Sequence, residues 1–148
     1  MGESIQERLC AIREIFKAFP DEDSKWKYLL SLARSHSGMD GVLKDEKFII
    51  QGCASTMYLV PKFAEGILHF DMDVEGGTTN PLISRGLGAL ALRIYNDQPP
   101  KDILSVDPVF FQEIGLNVGL SPTRSNGFAS LLKQIYLYAR VYDALSKK

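Results

Sequence analysis

An α+β fold is predicted here, with a small antiparallel sheet of about three strands and helices packed on one of its faces. Three observations point to it. Apolar residues recur at helical spacing near both ends of the chain. Between them, Phe48 to Asp73 breaks into short β-type runs separated by turn residues. The two patterns are also segregated, helices first, then strands, then helices again. No internal repeat or linker interrupts the order, so residues 1–148 read as one domain.

Ile5, Leu9, Ile12, Phe16 and Phe19 make the first helix, which stops before Pro20. Asp21 to Ser24 supplies polar and capping residues. A second helix carries Trp26, Leu29, Leu30 and Leu32 and ends near Ser35 to Gly38. His36 to Glu46 reads as a loop. Phe48-Ile49-Ile50 reads as a short strand, and Thr56 to Val60 as a central strand covered on both faces. Pro61 to Gly66 connects it to Ile67–Asp73, where Leu68, Phe70 and Met72 alternate with His69, Asp71 and Asp73, so one face is wet. Val74 to Thr79, with Gly76-Gly77, reads as a mobile loop. Asn80-Pro81 starts a helix burying Ile83, Leu87, Leu90 and Ile94. Asp107-Pro108 starts a short helix with Phe110, Phe111 and Ile114, closed by Gly115. The last helix, from about Ser125, presents Phe128, Leu131, Ile135, Tyr138 and Tyr142 on one stripe.

Composition narrows the function classes. The 148 residues are 45% hydrophobic and 24% charged, the profile of an ordinary globular chain. Seventeen basic against eighteen acidic residues leave a formal net charge of −1, which lacks the broad cationic field of a nucleic-acid binder. Met1 to Gln6 has no apolar signal-peptide core, and Gln6 stands where a myristoylation pattern needs Ser or Thr. No apolar run is long enough to span a membrane. The expected location is the cytoplasm, where thiols stay reduced, so no Cys10–Cys53 disulfide is expected. Two cysteines and two distant histidines do not make a structural zinc site.

Chemistry concentrates in two strings. Gln51-Gly52-Cys53-Ala54-Ser55 is a polar turn between two apolar runs, with small neighbours that leave a sulfur unshielded. Cys53 there is either a presented nucleophile or a small hydrophobe filling a hairpin. Leu120-Ser121-Pro122-Thr123-Arg124-Ser125-Asn126-Gly127 is a turn-rich loop bearing a cation at the start of the last helix. Arg124 either favours an anion there or pairs with an acid to fix the loop. Elsewhere, Cys10 reads as a packing residue of the first helix, and His36 and His69 as surface residues. Gly76-Gly77 lacks the context of a phosphate loop.

Gln51-Gly52-Cys53-Ala54-Ser55-Thr56-Met57-Tyr58 resembles the Gly-Cys-x-Ser-x-Val-Trp segment of the SufE/CsdE family of sulfur acceptors. Leu120 to Gly127 is similar to that family's Leu-Thr-Pro-Ser-Arg-Ser-x-Gly segment. Lys27-Tyr28-Leu29-Leu30, Arg85-Gly86-Leu87 and Asp102-Ile103 to Asp107 fit the family's order, so the likeness runs from about Trp26 to Ile135. The resemblance implies a fold shared with IscU-type scaffold proteins. It also implies that sulfur comes from a partner cysteine desulfurase of the SufS/CsdA type and passes to an iron–sulfur scaffold or another acceptor. By position, Cys53 carries the persulfide and Arg124 is the arginine beside it. The pyridoxal phosphate belongs to the partner, and this chain is expected to hold no cofactor or metal and to engage neither nucleic acid nor membrane. Tyr58 departs from the family's Trp. Asp71-Met72-Asp73 is followed by Gly-Gly-Thr-Thr where the family's Asp-Ser-Asp-Ala leads into a helix, so Asp71 and Asp73 are read as solvent-facing strand residues without a role. Two other classes compete with this reading: a stand-alone thiol enzyme, a peroxidase or transferase using Cys53, and a non-catalytic interaction domain.

Overall fold

A computed structural model describes residues 3–50, 55–75, 81–116 and 119–147. The chain is α+β, with one two-stranded antiparallel sheet and six α-helices among the described residues. Helix α1 (Ile5–Lys17) opens on a capping box, in which the Ser4 side chain accepts from the Glu7 amide and the Glu7 side chain accepts from the Ser4 amide. It buries Ile5, Leu9, Ile12 and Phe16. Cys10 is exposed, not packed. One residue past Leu9 it is turned about 100° away from the buried stripe, which is complete without it. Helix α2 (Glu22–Ser35) is capped by Asp21, whose Oδ1 accepts from the Ser24 amide at 2.9 Å. Leu29, Leu32 and Ala33 are its buried apolar residues.

The predicted strand at Phe48–Ile50 is instead a 3-10 turn, Glu46–Phe48, followed by a single bridge between Ile49 and Tyr58. Asp45 accepts from the Lys47 amide at 3.1 Å and winds the chain there, leaving room for one bridge but no ladder. The sheet therefore has two strands, β1 (Thr56–Ala64) and β2 (Ile67–Glu75). They are joined by Glu65 and Gly66, both at positive φ (53° and 80°), as the tightest hairpin turn demands. β1 runs through Pro61, beyond the expected break. Proline fits because its partner is Phe70, whose amide donates outward to Asn96 Oδ1 at 2.7 Å, so no cross-strand donor is needed from residue 61. The remainder of the expected Val74–Thr79 loop divides: Val74 and Glu75 belong to β2, and 76–80 lie outside the described residues.

The register places Met57, Leu59, Phe63, Leu68, Phe70, Met72 and Val74 on one face. All of these except Phe63 are buried, and helices cover that face. Helix α3 (Pro81–Tyr95) is buried almost all round, from Gly86 to Leu92 and again at Ile94 and Tyr95. The chain then forms α4 (Pro100–Leu104), α5 (Val109–Glu113) and α6 (Pro122–Ser146). α6 lies against the sheet through Tyr138 on Phe70 and Tyr142 on Phe63, with ring centroids 6.2 and 5.2 Å apart. Tyr136 donates to the Val106 carbonyl at 2.9 Å and meets the Tyr95 hydroxyl at 2.6 Å, tying α6 to α3 and to the segment after α4. Buried Lys25 reaches the Gly115 carbonyl at 2.8 Å and so holds α2 to the turn that leads towards α6.

Two glycines set the depth of α3. A Cβ on Gly86 would come within 2.3 Å of the Leu29 carbonyl oxygen of α2, whereas one on Gly88 would meet the flexible end of Met72 at 2.6 Å. Gly86→Ala is expected to lower the unfolding free energy by about 1–3 kcal/mol or more, because backbone must move. Gly88→Ala should cost less, because the Met72 side chain can swing. Urea unfolding of both variants checks the order; equal losses would contradict this account.

Candidate functional site

The hairpin has a closed end at Glu65-Gly66 and an open end where Thr56 pairs with Glu75 and Tyr58 with Asp73. Cys53 lies outside the described residues. The described chain on either side is anchored: Ile50 is buried and donates its amide to the Met57 carbonyl at 2.8 Å, and Ser55 is buried beside the first residue of β1.

A charged cluster occupies this open end. Asp73 is buried, not solvent-facing as its place in the alternation suggests. Its Oδ2 lies 3.2 Å from Lys44 Nζ, and its Oδ1 lies 3.1 Å from Arg85 Nη2 and accepts from the Val74 amide at 2.8 Å. Arg85 Nη2 also donates to the Val74 carbonyl at 2.6 Å, and Lys44 pairs with Glu75 as well. Gly38, at φ +75°, lets the loop after α2 close on the carboxylate; a Cβ there would sit 2.9 Å from Asp73 Oδ2. One carboxylate thus joins the 38–44 loop, the end of β2 and the start of α3. Burial pushes Asp73 up, but the hydrogen bonds from Lys44 and the Val74 amide, with the charges of Arg85 and Lys44, outweigh it and hold the carboxyl below its ordinary value. Lys44 is correspondingly held above the ordinary lysine value, by its hydrogen bond to Glu75 first and to Asp73 second.

Arg124 is helical rather than in a loop, because α6 begins three residues before Ser125. Ser121 accepts from the Arg124 amide at 3.3 Å and Pro122 takes the first helical position. The Arg124 side chain is half-buried, its Nε is enclosed without a hydrogen-bond partner, and no carboxylate among the described residues pairs with it. No hydrogen bond or ion pair among the described residues joins it to Asp73, Arg85 or Ser55.

Among the described residues neither histidine is hydrogen-bonded or ion-paired to Asp73, Lys44 or Arg85. His36 Nε2 is 2.7 Å from the Met72 carbonyl, and His69 sits between Asp97 (2.7 Å) and Asp71 (3.4 Å). Both line an open groove of about 550 Å³ between α1, α2, β2 and α3. Asp71 is half-exposed and pairs with Lys62 at 3.1 Å, in keeping with its expected strand-surface role. Among the described residues no cluster of three His, Cys, Asp or Glu can hold a metal, and no helix is long and apolar enough to cross a membrane. Sequence reasoning gave Lys44, Ser55 and Arg85 no function. Ser55 and Arg85 do stand inside the quoted strings, but nothing in a string reports that Ser55 Oγ and Arg85 Nε will be enclosed without a hydrogen-bond partner.

Comparison with known proteins adds a family. The SufE profile, described as an Fe-S metabolism associated domain, matches residues 10–139. An uncharacterized SufE-like protein of Rhizobium meliloti is 32% identical over 120 residues, covering 80% of this chain and 85% of that protein. Another from Synechocystis is 27% identical over 137 residues, covering 91% of this chain and 82% of that protein. SufE-like protein 1, chloroplastic/mitochondrial, of Arabidopsis thaliana is 25% identical over 132 residues, 88% of this chain but 34% of its own length. The solution structure of a hypothetical protein from Thermus thermophilus has the same fold, with a TM-score of 0.75 at 19% identity over 94% of this chain and 96% of that one.

Asp73→Asn is expected to destabilise the fold at neutral pH by about 1–3 kcal/mol, since Lys44 and Arg85 lose their buried counter-charge. A depressed native carboxyl contributes stability above its unfolded value, about 3.9, and loses it as pH falls through the lower native value. Urea unfolding of both proteins from pH 7 to pH 3 should therefore show the gap closing in acid; a pH-independent gap would contradict the ion-pair account.

Proposed function

The chain belongs to the SufE family, and from that premise we propose that it accepts sulfur from a partner cysteine desulfurase, carries it as a persulfide on Cys53 and passes it on for iron–sulfur cluster assembly. The observation that carries this reading is the pairing, in one chain matched by the SufE profile over 10–139, of the Cys53 string with the Arg124 string.

The chemistry is a thiol–persulfide exchange. The Cys53 thiolate attacks the outer sulfur of the persulfide on the desulfurase. A new S–S bond forms on Cys53 as the S–S bond in the partner breaks, and the electron pair leaves with the partner's cysteine sulfur as a thiolate. The oxidised sulfur moves with its oxidation state unchanged, so no external oxidant or reductant is consumed. The partner's thiolate is freed for another turnover, which is how a carrier without a cofactor speeds an enzyme that has one. The reading calls for a reducing compartment such as the cytoplasm, because a cysteine tied in a disulfide has no thiolate to offer. Arg124 supports it as a cation in the first turn of a 25-residue helix, where positive dipole and charge both favour an anionic sulfur.

Incubation with a cysteine desulfurase, cysteine and pyridoxal phosphate should add one sulfur to the wild-type protein and to Cys10→Ala, but none to Cys53→Ser, by intact mass. Exposed Cys10 makes that control necessary. Full stimulation of the desulfurase by Cys53→Ser would remove the carrier reading. Arg124→Ala should slow alkylation of Cys53 at pH 7 and move its pH–rate profile upward. Lost desulfurase binding with an unmoved profile would make Arg124 a docking residue instead.

A further inference from the structure

Leu137, Val141 and Leu145 are large apolar residues of α6 that the core leaves out, at 44%, 46% and 50% exposed. A single exposed apolar side chain needs no explanation, but these three recur every fourth residue and so line up on one face of the helix. The opposite face sets Leu131, Ile135 and Ala139 in the core, and Tyr138 and Tyr142 lie against the sheet. α6 is therefore held in place without the exposed stripe.

One edge of that stripe is basic. Lys133, Arg140 and Lys147, the last at the helix C-cap, recur every seventh residue. On a helix turning about 100° per residue this sets them in a row beside Leu137, Val141 and Leu145. All three cations are exposed. Lys147 meets Asp143 at 3.3 Å, an exposed pair of little strength, and no carboxylate among the described residues pairs with Lys133 or Arg140. Gln134 and Val141 make one set of seam positions, and Leu137 and Ala144 the other. The face thus has the seven-residue layout of a helix-pairing surface, with its cations in the flanking row that selects a partner.

The charges decide which helix fits. A second copy of α6 does not: antiparallel, the basic row meets itself, and parallel, it meets Tyr138 and Leu145, which offer no acid. A lipid surface suits it no better. Interfacial helices sink a broad face of large apolar side chains, and most of those on α6 face the sheet and the core. We propose that this face of α6 docks an amphipathic helix of another protein, with apolar residues in its seam and Asp or Glu along the edge that meets Lys133, Arg140 and Lys147. Leu137 follows Arg124 by 13 residues, about 20 Å along the helix. Tyr142 packs on Phe63, near the closed end of the hairpin. The docked helix can therefore seat without covering Arg124, and the proposal goes beyond the sulfur-acceptor reading and stands without it.

The test measures, by fluorescence anisotropy with the full chain, the binding of a labelled synthetic peptide of about four heptads, with Leu in the seam and Glu at the flanks. The control is the same peptide with Lys at the flanks. The Glu peptide is expected to bind, and the Lys peptide to bind at least about tenfold more weakly, because like charges oppose docking. Val141→Glu should weaken binding of the Glu peptide by about tenfold or more with the thermal melt unchanged, since Val141 is not part of the core. Lys133→Glu combined with Arg140→Glu should reverse the preference in favour of the Lys peptide, which a merely structural effect would not do. If Val141→Glu melts lower, that reversal alone decides. Equal binding of the two peptides, or none, would overturn the proposal. So would self-association in sedimentation that Val141→Glu abolishes, which would make a second copy the occupant. Binding to phosphatidylserine vesicles with neither peptide bound would overturn it in favour of a membrane.

Discussion

The backbone-to-backbone approach of α2 and α3 is the constraint on which the rest of the molecule depends. Gly86 offers no Cβ to the Leu29 carbonyl, so α3 can sink until it is enclosed by α2 on one side and β2 on the other. That depth decides where Arg85, the preceding residue, delivers its guanidinium: onto the Val74 carbonyl and the Asp73 carboxylate. Asp73 in turn can be buried because Arg85 and Lys44 reach it, and Lys44 can reach it because Gly38 lets its loop close in. Packing thus fixes electrostatics here. A core glycine packed against the α2 backbone sets the charge arrangement at the open end of the hairpin.

That end holds two kinds of polar group with different physical meanings. Asp73 is fully engaged, accepting from a backbone amide and facing two cations, and it contributes to holding three segments together. Ser55 Oγ and Arg85 Nε are enclosed and idle, and an idle buried donor weakens a fold instead of strengthening it. The two conditions occur within a few residues of each other. Stability held by one group can tolerate the other's deficit.

Much of the fold was legible in the residues. The helical stripes of α1 and α6, the alternation of Leu68, Phe70 and Met72, and the proline that opens α3 all carry their meaning locally, while the Asn80 cap lies outside the described residues. The misses share a cause. Phe48–Ile50 has strand composition, but Asp45 captures the amide of Lys47 and turns the chain first. Pro61 reads as a break, yet the register sets it where no donor is asked for. Asp73 falls on the polar side of the alternation, and period alone cannot tell that a loop and the start of a helix will cover it. Cys10 was placed inside by its helix, although the stripe excluded it. At the candidate site the sequence offers residue types and order, as with Arg124, whose helix starts at Ser121-Pro122, one turn before the Ser125 start that the apolar stripe suggests. Burial without a partner, as at Ser55, exists only in three dimensions.

The sheet is small, and little of its rim is open to pairing. Beyond β2, Leu68 and Phe70 are occupied by Asp97, Gln98 and the Asn96 side chain. Beyond β1, Ile49 and Ile50 take up Tyr58 and Met57, and Pro61 has no amide to give. Strand addition, the least sequence-demanding way for one polypeptide to grip another, is therefore discouraged on both sides. A protein that docks on this hairpin must be recognised through side chains and loop shape. Such contacts can be altered one residue at a time, so the choice of companion is open to change by mutation while the scaffold stays as it is.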